Sequence, residues 1–154
     1  MKPYSHPDLL FPVPELILKE EQGKWVLWDV FRRKWVVSGP EEWVRQQCAH
    51  YLVGTLGYPR TRLLIEKRVG SGRSARRFDL AVAGVAGGMK MLMECKAPSV
   101  PLDEEVWWQT VCYNHTVEAE WLVLTNGVNL KVWRRRDGLW EARGDLPSWP
   151  ELAG

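Results

Sequence analysis

Hydrophobic and polar residues change their period several times along the chain, and each change marks an element. Leu16 to Glu21 and Lys24 to Val30 flank Gln22-Gly23, which predicts a β-hairpin, with a third short strand near Trp35 to Val37. A helix is then expected from about Pro40, because Gly39 can act as its N-cap and proline suits the first helical position. Glu41 and Glu42 favour the positive end of that helix dipole. Val44, Cys48, Tyr51, Leu52 and Thr55 recur at helical spacing and predict one buried stripe, and Gly57-Tyr58-Pro59 stops the helix.

Three strands follow, Arg62 to Val69, Phe78 to Ala83 and Met89 to Lys96, separated by a Ser/Gly/Arg loop over Gly70 to Arg77 and a turn over Gly84 to Gly88. Connections this short predict an antiparallel meander. A second helix is expected over Asp103 to Val117, then an apolar strand over Trp121 to Thr125. Asn126-Gly127 reads as a two-residue hairpin turn, with Val128 to Arg135 returning, and Asp137-Gly138 suggests another hairpin before a loose tail. The order predicts an α/β domain with a mixed central sheet, helices packed against it and an N-terminal β-hairpin. The expected division is an irregular segment over residues 1–14, one domain over 15–143 and a C-terminal tail over 144–154.

Composition narrows the class. The chain has 154 residues, enough for a single core, and 45% hydrophobic with 26% charged residues is an ordinary balance for a globular domain. Ten tryptophans are unusual, and most are expected in the core or against edge strands. The net charge of +2 does not by itself imply nucleic-acid binding. Its distribution says more, because Arg60, Arg62, Lys67, Arg68, Arg73, Arg76 and Arg77 form one basic stretch and Arg134, Arg135 and Arg136 another. Either can contact phosphates or simply be a solvated face. Cys48, Cys95 and Cys112 have no metal-ligand spacing and read as reduced, mostly buried thiols, and the three histidines form no zinc-type pair. No signal peptide or membrane span is visible, so a cytoplasmic setting is expected.

The chemistry centres on Glu94-Cys95-Lys96. Alternation in a strand sends Glu94 and Lys96 to one face, while Met91, Met93 and Cys95 fill a core on the other. Asp79, on the preceding strand, can face the same way as Glu94. Two carboxylates on adjacent strands are hard oxygen ligands of the kind Mg²⁺ takes, and a bound cation activates water and stabilises charge on a phosphate. Lys96 could orient or deprotonate that water, or hold a phosphate oxygen. The competing reading is a surface ion pair between Glu94 and Lys96. A charged pair ending the apolar run Met89 to Met93 fits that reading poorly.

Six blocks carry a resemblance: Pro40 to Gln46, Gly57-Tyr58-Pro59, Arg77-Phe78-Asp79, Glu94 to Pro98, Gln109 to Asn114, and Leu124 to Gly127. In this order they resemble the PD-(D/E)XK nuclease superfamily, in particular the N-terminal nuclease domain of type I restriction enzyme R subunits and its small stand-alone relatives. The resemblance covers roughly residues 25–135. It implies a restriction-endonuclease-like three-layer core, with Asp79 and Glu94 as metal ligands and Lys96 as the catalytic lysine. It also implies a glutamate from the first helix: Glu41, four residues before Arg45, is the one it prefers, and Glu42 stays open. The aspartate follows Phe78 where the name-giving pattern has proline. Gln109 and Tyr113 match a Gln-x-x-x-Tyr motif, share one helix face and could bond a phosphate or a site carboxylate. Trp107-Trp108 and Asn126-Gly127 are expected to serve packing and turning.

The expected activity is Mg²⁺-dependent DNA cleavage, with Mn²⁺ as a substitute, and Arg45, Arg73, Arg76 and Arg77 as DNA contacts. The alternatives are a non-catalytic nucleic-acid-binding module and a nuclease active only with a partner. The chain has no phosphate loop for ATP, so a separate translocase or specificity protein would have to supply movement along DNA. A homodimer could bring two sites to opposite strands.

Overall fold

A computed structural model describes residues 8–69, 76–115 and 117–154. The N-terminal hairpin forms as expected from β1 (Leu18–Glu21) and β2 (Lys24–Asp29), with β3 (Lys34–Val37) completing an antiparallel three-stranded sheet. The β1–β2 turn needs left-handed backbone at both Gln22 (φ 52°) and Gly23 (φ 75°), which suits the right-handed twist of its strands.

Helix α1 spans Pro40–Gly54 from an N-cap at Gly39 that offers no side-chain bond. Its buried face is broader than the apolar stripe. Val44, Cys48 and Leu52 are buried as expected, but so are Arg45, Gln46 and Gln47, while Thr55 is exposed at the C-cap. Burial of the consecutive Arg45, Gln46 and Gln47 takes polar side chains around the helix into the interior, where an unpaired buried polar group costs about 1–3 kcal/mol.

Strands β4 (Leu63–Val69), β5 (Arg76–Ala83) and β6 (Met89–Cys95) form the antiparallel meander. Helix α2 (Glu104–Asn114) then crosses over, so β7 (Trp121–Thr125) lies parallel to β6, and β8 (Leu130–Arg136) and β9 (Leu139–Arg143) complete a six-stranded mixed sheet in sequence order. Strand alternation sorts the core into two layers. Leu80, Met91, Met93, Cys95, Trp121 and Val123 pack beneath α1 with Val44, Cys48 and Leu52. Phe78, Ala81, Leu92 and Leu122 pack on the opposite face with Trp107 and Val111 of α2. The result is helix, sheet, helix, the three-layer α/β arrangement expected.

Two expectations fail locally. The β7–β8 connection has four residues, Asn126 to Asn129, because the Asn126 side chain accepts from the Val128 and Asn129 amides at 3.0 and 2.7 Å and builds a wider turn. Its amide also donates to Val100 O at 2.8 Å, pinning the segment before α2. The C-terminal segment is not loose. Residues Trp149–Ala153 form α3, Leu152 is fully buried, and the Tyr58 hydroxyl donates to Pro147 O at 2.9 Å. Apolar burial by Leu146 and Leu152 accounts for this ordering.

Candidate active site

Strand register brings the central residues together. Leu80 pairs with Met93, so one step further along these antiparallel strands Asp79 stands opposite Glu94. Residues placed in this way have Cβ atoms about 4.5–5.5 Å apart. Behind the site, Cys95 of β6 and Cys48 of α1 are fully buried in the same core layer. Cys112, by contrast, is exposed.

Asp79 is held at both oxygens. Oδ1 accepts from Arg45 Nη2 at 2.6 Å and Oδ2 accepts from the Cys95 amide at 2.9 Å. A carboxylate has about four lone-pair positions, so roughly two remain for another ligand. Glu94 is less well provided for, since its Oε1 is buried and has no hydrogen-bond partner among the described residues. Burial, followed by the charge of Asp79 and a hydrogen bond with it, pushes the Glu94 carboxyl up to about 9, against a smaller opposing effect of Lys96.

Lys96 lies just past the end of β6, its amide donating to Thr125 O at 2.8 Å across the parallel junction with β7. Among the described residues its ammonium forms no salt bridge, so the surface ion pair with Glu94 does not form. Its charge nevertheless lowers the proton affinity of both Glu94 and Glu41.

The structure separates the two helix glutamates. Glu42 is largely buried, with 11% of its side chain exposed, and is bound by Arg32 and by Arg45 Nη1 at 3.1 Å. Glu41 is 49% exposed and 3.7 Å from Arg45 Nη2. Burial and then Asp79 raise its carboxyl above the ordinary range, while Lys96 and Arg45 work against that rise. Glu41 therefore shares the electrostatic field of Asp79, Glu94 and Lys96, and Glu42 is the counter-anion of two arginines.

Arg45 was expected to contact DNA. It is instead a buried counter-charge, joining Asp79, Glu42 and Glu66, the last at 3.5 Å, with only 8% of its side chain exposed. Burial alone would lower its proton affinity, but Glu42 and Asp79 hold it above its ordinary value. Arg77 is exposed and lies 3.9 Å from Glu66. Arg73 and the side chains of Arg76 and Tyr113 lie outside the described residues. Gln109 is exposed on α2 and forms no hydrogen bond to Asp79, Glu94 or Lys96.

Three participants had no signal in the sequence. Arg32, in the β2–β3 turn, donates to Asp29, to Glu42 and to Glu66 Oε2, the last at 2.9 Å. Asp29 is fully buried and also accepts from the Phe31 amide at 2.8 Å. Glu66 interrupts β4 with left-handed backbone (φ 52°) between the paired positions Ile65 and Lys67, facing Asp79 in the register. That conformation costs a non-glycine residue about 1–2 kcal/mol. Two arginines gaining a carboxylate partner provide the offset.

Two members of the distal basic cluster are also engaged. Arg134 donates to Glu120 at 2.8 Å and lies over Trp121, and Arg135 lies over Trp140. Trp107 stacks on Trp133 with ring centroids 3.7 Å apart, which confirms packing as its role, whereas Trp108 is exposed.

The family model for the type I restriction enzyme R protein N terminus matches residues 40–144, more than half of the chain and all of the elements from α1 to β9. The chain belongs to this family. Its sheet and flanking helices are accordingly a restriction-endonuclease-like core. Comparison with curated proteins returns no match. The matched region begins at Pro40, so Asp29 and Arg32 reach the site of this R-protein family member from a sheet that precedes it. No helix among the described residues is long and apolar enough to cross a membrane.

Proposed function

We propose that this chain is a Mg²⁺-dependent DNA endonuclease, acting at Asp79, Glu94 and Lys96. The observation that carries the reading is the facing pair Asp79 and Glu94, with a buried Glu94 oxygen and a neighbouring lysine that have no hydrogen-bond or ion-pair partner among the described residues. Burial first, and then repulsion by Asp79, make Glu94 hold its proton firmly. A hard divalent cation would relieve that repulsion, and the all-oxygen donor set suits Mg²⁺ or Mn²⁺.

Among the described residues no three Asp, Glu, His or Cys side chains form a ready-made cage. That is compatible with Mg²⁺, which keeps several waters and takes one or two carboxylates. Asp79 and Glu94 would hold the ion, and Glu41 would add its carboxylate to the same electrostatic field. When bound, it would supply an activated water and charge stabilisation at the phosphate. Lys96 has a free ammonium to hold a phosphate oxygen or orient the attacking water. Arg45 and the Cys95 amide keep Asp79 in one orientation, so little reorganisation is needed at the moment of reaction.

The family's description, an R protein N terminus, favours DNA as substrate and a second component that moves or selects DNA. The decisive experiment is Lys96→Ala. Cleavage of plasmid or linear DNA with Mg²⁺ or Mn²⁺ should fall by about 100-fold or more, while DNA binding and thermal midpoint stay near those of the unmodified chain. Cleavage that persists in this variant, or Mn²⁺ density away from Asp79 and Glu94 in a soaked crystal, would refute the assignment.

A further inference from the structure

An open cleft of about 660 Å³ lies between the N-terminal sheet and the 3₁₀ turn that precedes β4. Its wall includes Trp28, Phe31, Arg33, Arg60, Thr61 and Leu63, with no carboxylate among its lining residues. Arg33 and Arg60 are both exposed, and neither is joined to an acidic group among the described residues. This separates them from Arg32, Arg45 and Arg134, each of which is bound to carboxylates. Arg60 lies 5.3 Å over the Phe31 ring, which steadies its guanidinium without neutralising it.

Neighbouring residues tie the cleft to the ion-pair cluster that holds Asp79. Arg33 follows Arg32 in the same turn, and Arg32 is bound to Glu42 and Glu66. On the opposite wall Leu63 and Glu66 lie on one strand, three residues or about 10 Å apart at 3.3 Å per residue. DNA advances about 3.4 Å per nucleotide along one strand, so the separation corresponds to roughly three nucleotides. By contrast, the cavity of about 530 Å³ at the other side of α1 is lined by Phe11, Tyr51, Leu56 and Asp145 and contains no cation.

We propose that this cleft seats the sugar–phosphate backbone of the DNA strand entering the carboxylate site, with Arg33 and Arg60 as phosphate contacts. The choice of DNA as ligand rests on the nuclease reading; the location rests on the two unpaired arginines and the shared turn. Arg45, buried and bound, is thereby replaced as a DNA contact by two residues of which one, Arg33, lies outside the family match.

The test is fluorescence anisotropy with the full chain, without divalent metal, on a labelled DNA single strand and on the matching duplex. The double variant Arg33→Glu/Arg60→Glu should bind at least about tenfold more weakly, with a salt dependence shallower by roughly one to two phosphate contacts. Arg136→Glu, on an exposed position of β8 four strands away in the sheet, should change affinity by less than about twofold. Undiminished binding by the double variant, an equal loss in Arg136→Glu, or no DNA binding by the unmodified chain would overturn the proposal. If charge reversal lowers the thermal midpoint, Arg33→Gln/Arg60→Gln takes its place, with a loss of about threefold or more expected and unchanged affinity counting against the cleft. Lys96→Ala separates the two readings. Full binding by the cleft variants with Lys96→Ala inactive breaks the cleft alone, and weakened binding with Lys96→Ala still cutting breaks the nuclease assignment alone.

Discussion

The arginines around α1 and those on β8 look alike in the sequence, and the structure uses them differently. Arg32 and Arg45 are almost wholly buried among Asp29, Glu42, Glu66 and Asp79. Arg134 and Arg135 lie over Trp121 and Trp140, and Arg134 shares Glu120 with Lys90. In the first region every charge but Glu66 is largely out of water and held by its partners, so removing one strands the others. In the second, water screens what is left behind. A basic residue beside an acidic site is therefore no guide to DNA contact until its burial is known.

The sharpest way to break this contrast is Arg45→Ala. It leaves Asp79 buried without its counter-charge and Glu42 with Arg32 alone, and should lower stability by about 3–5 kcal/mol in urea unfolding. A loss below about 1 kcal/mol would show that water reaches the cluster. Arg32→Ala should cost somewhat less, about 2–4 kcal/mol, because Glu66 is partly exposed. Arg32→Lys should recover little of it, since a point charge cannot reproduce a fork reaching three carboxylates.

The pH response comes next. Glu94 binds its proton more tightly folded than unfolded, so the folded state carries the extra proton between pH about 4.5 and about 9. Its contribution is complete below the unfolded value and is lost as pH rises through the folded one, so metal-free protein should lose stability across that window. Glu94→Gln should flatten the slope in thermal melts recorded at several pH values, and a flat profile in the unmodified chain would contradict the burial of this carboxyl. The smallest effect is expected for Arg134→Ala, about 1 kcal/mol or less, because its partner Glu120 keeps Lys90 and solvent. Equal losses for Arg134→Ala and Arg45→Ala would erase the distinction between the regions.

Element order was largely legible because periodicity and turn chemistry are local. Alternation along β6 placed Met91, Met93 and Cys95 in the core, and Gly39-Pro40 marked the start of α1. Gln22-Gly23 and Asp137-Gly138 turn as expected, with positive φ at all four residues. Asn126 misled because its side chain, by bonding two backbone amides ahead, sets a turn longer than the dipeptide suggests. The C-terminal tail misled because its few apolar residues order only against a core formed by distant segments.

What the sequence by itself determined was the layered α/β arrangement and the neighbourhood of Asp79, Glu94 and Lys96, since strand alternation and short connections dictate both. What only the tertiary structure decided was which charges face which. Glu41 and Glu42 are adjacent on one helix turn, yet Arg32 from the separate N-terminal sheet claims Glu42 and leaves Glu41 toward Asp79 and Lys96. The left-handed kink at Glu66 and the burial of Arg45 have the same origin. Ion pairs between residues 34 positions apart depend on how layers meet, and no local period in the sequence records that meeting.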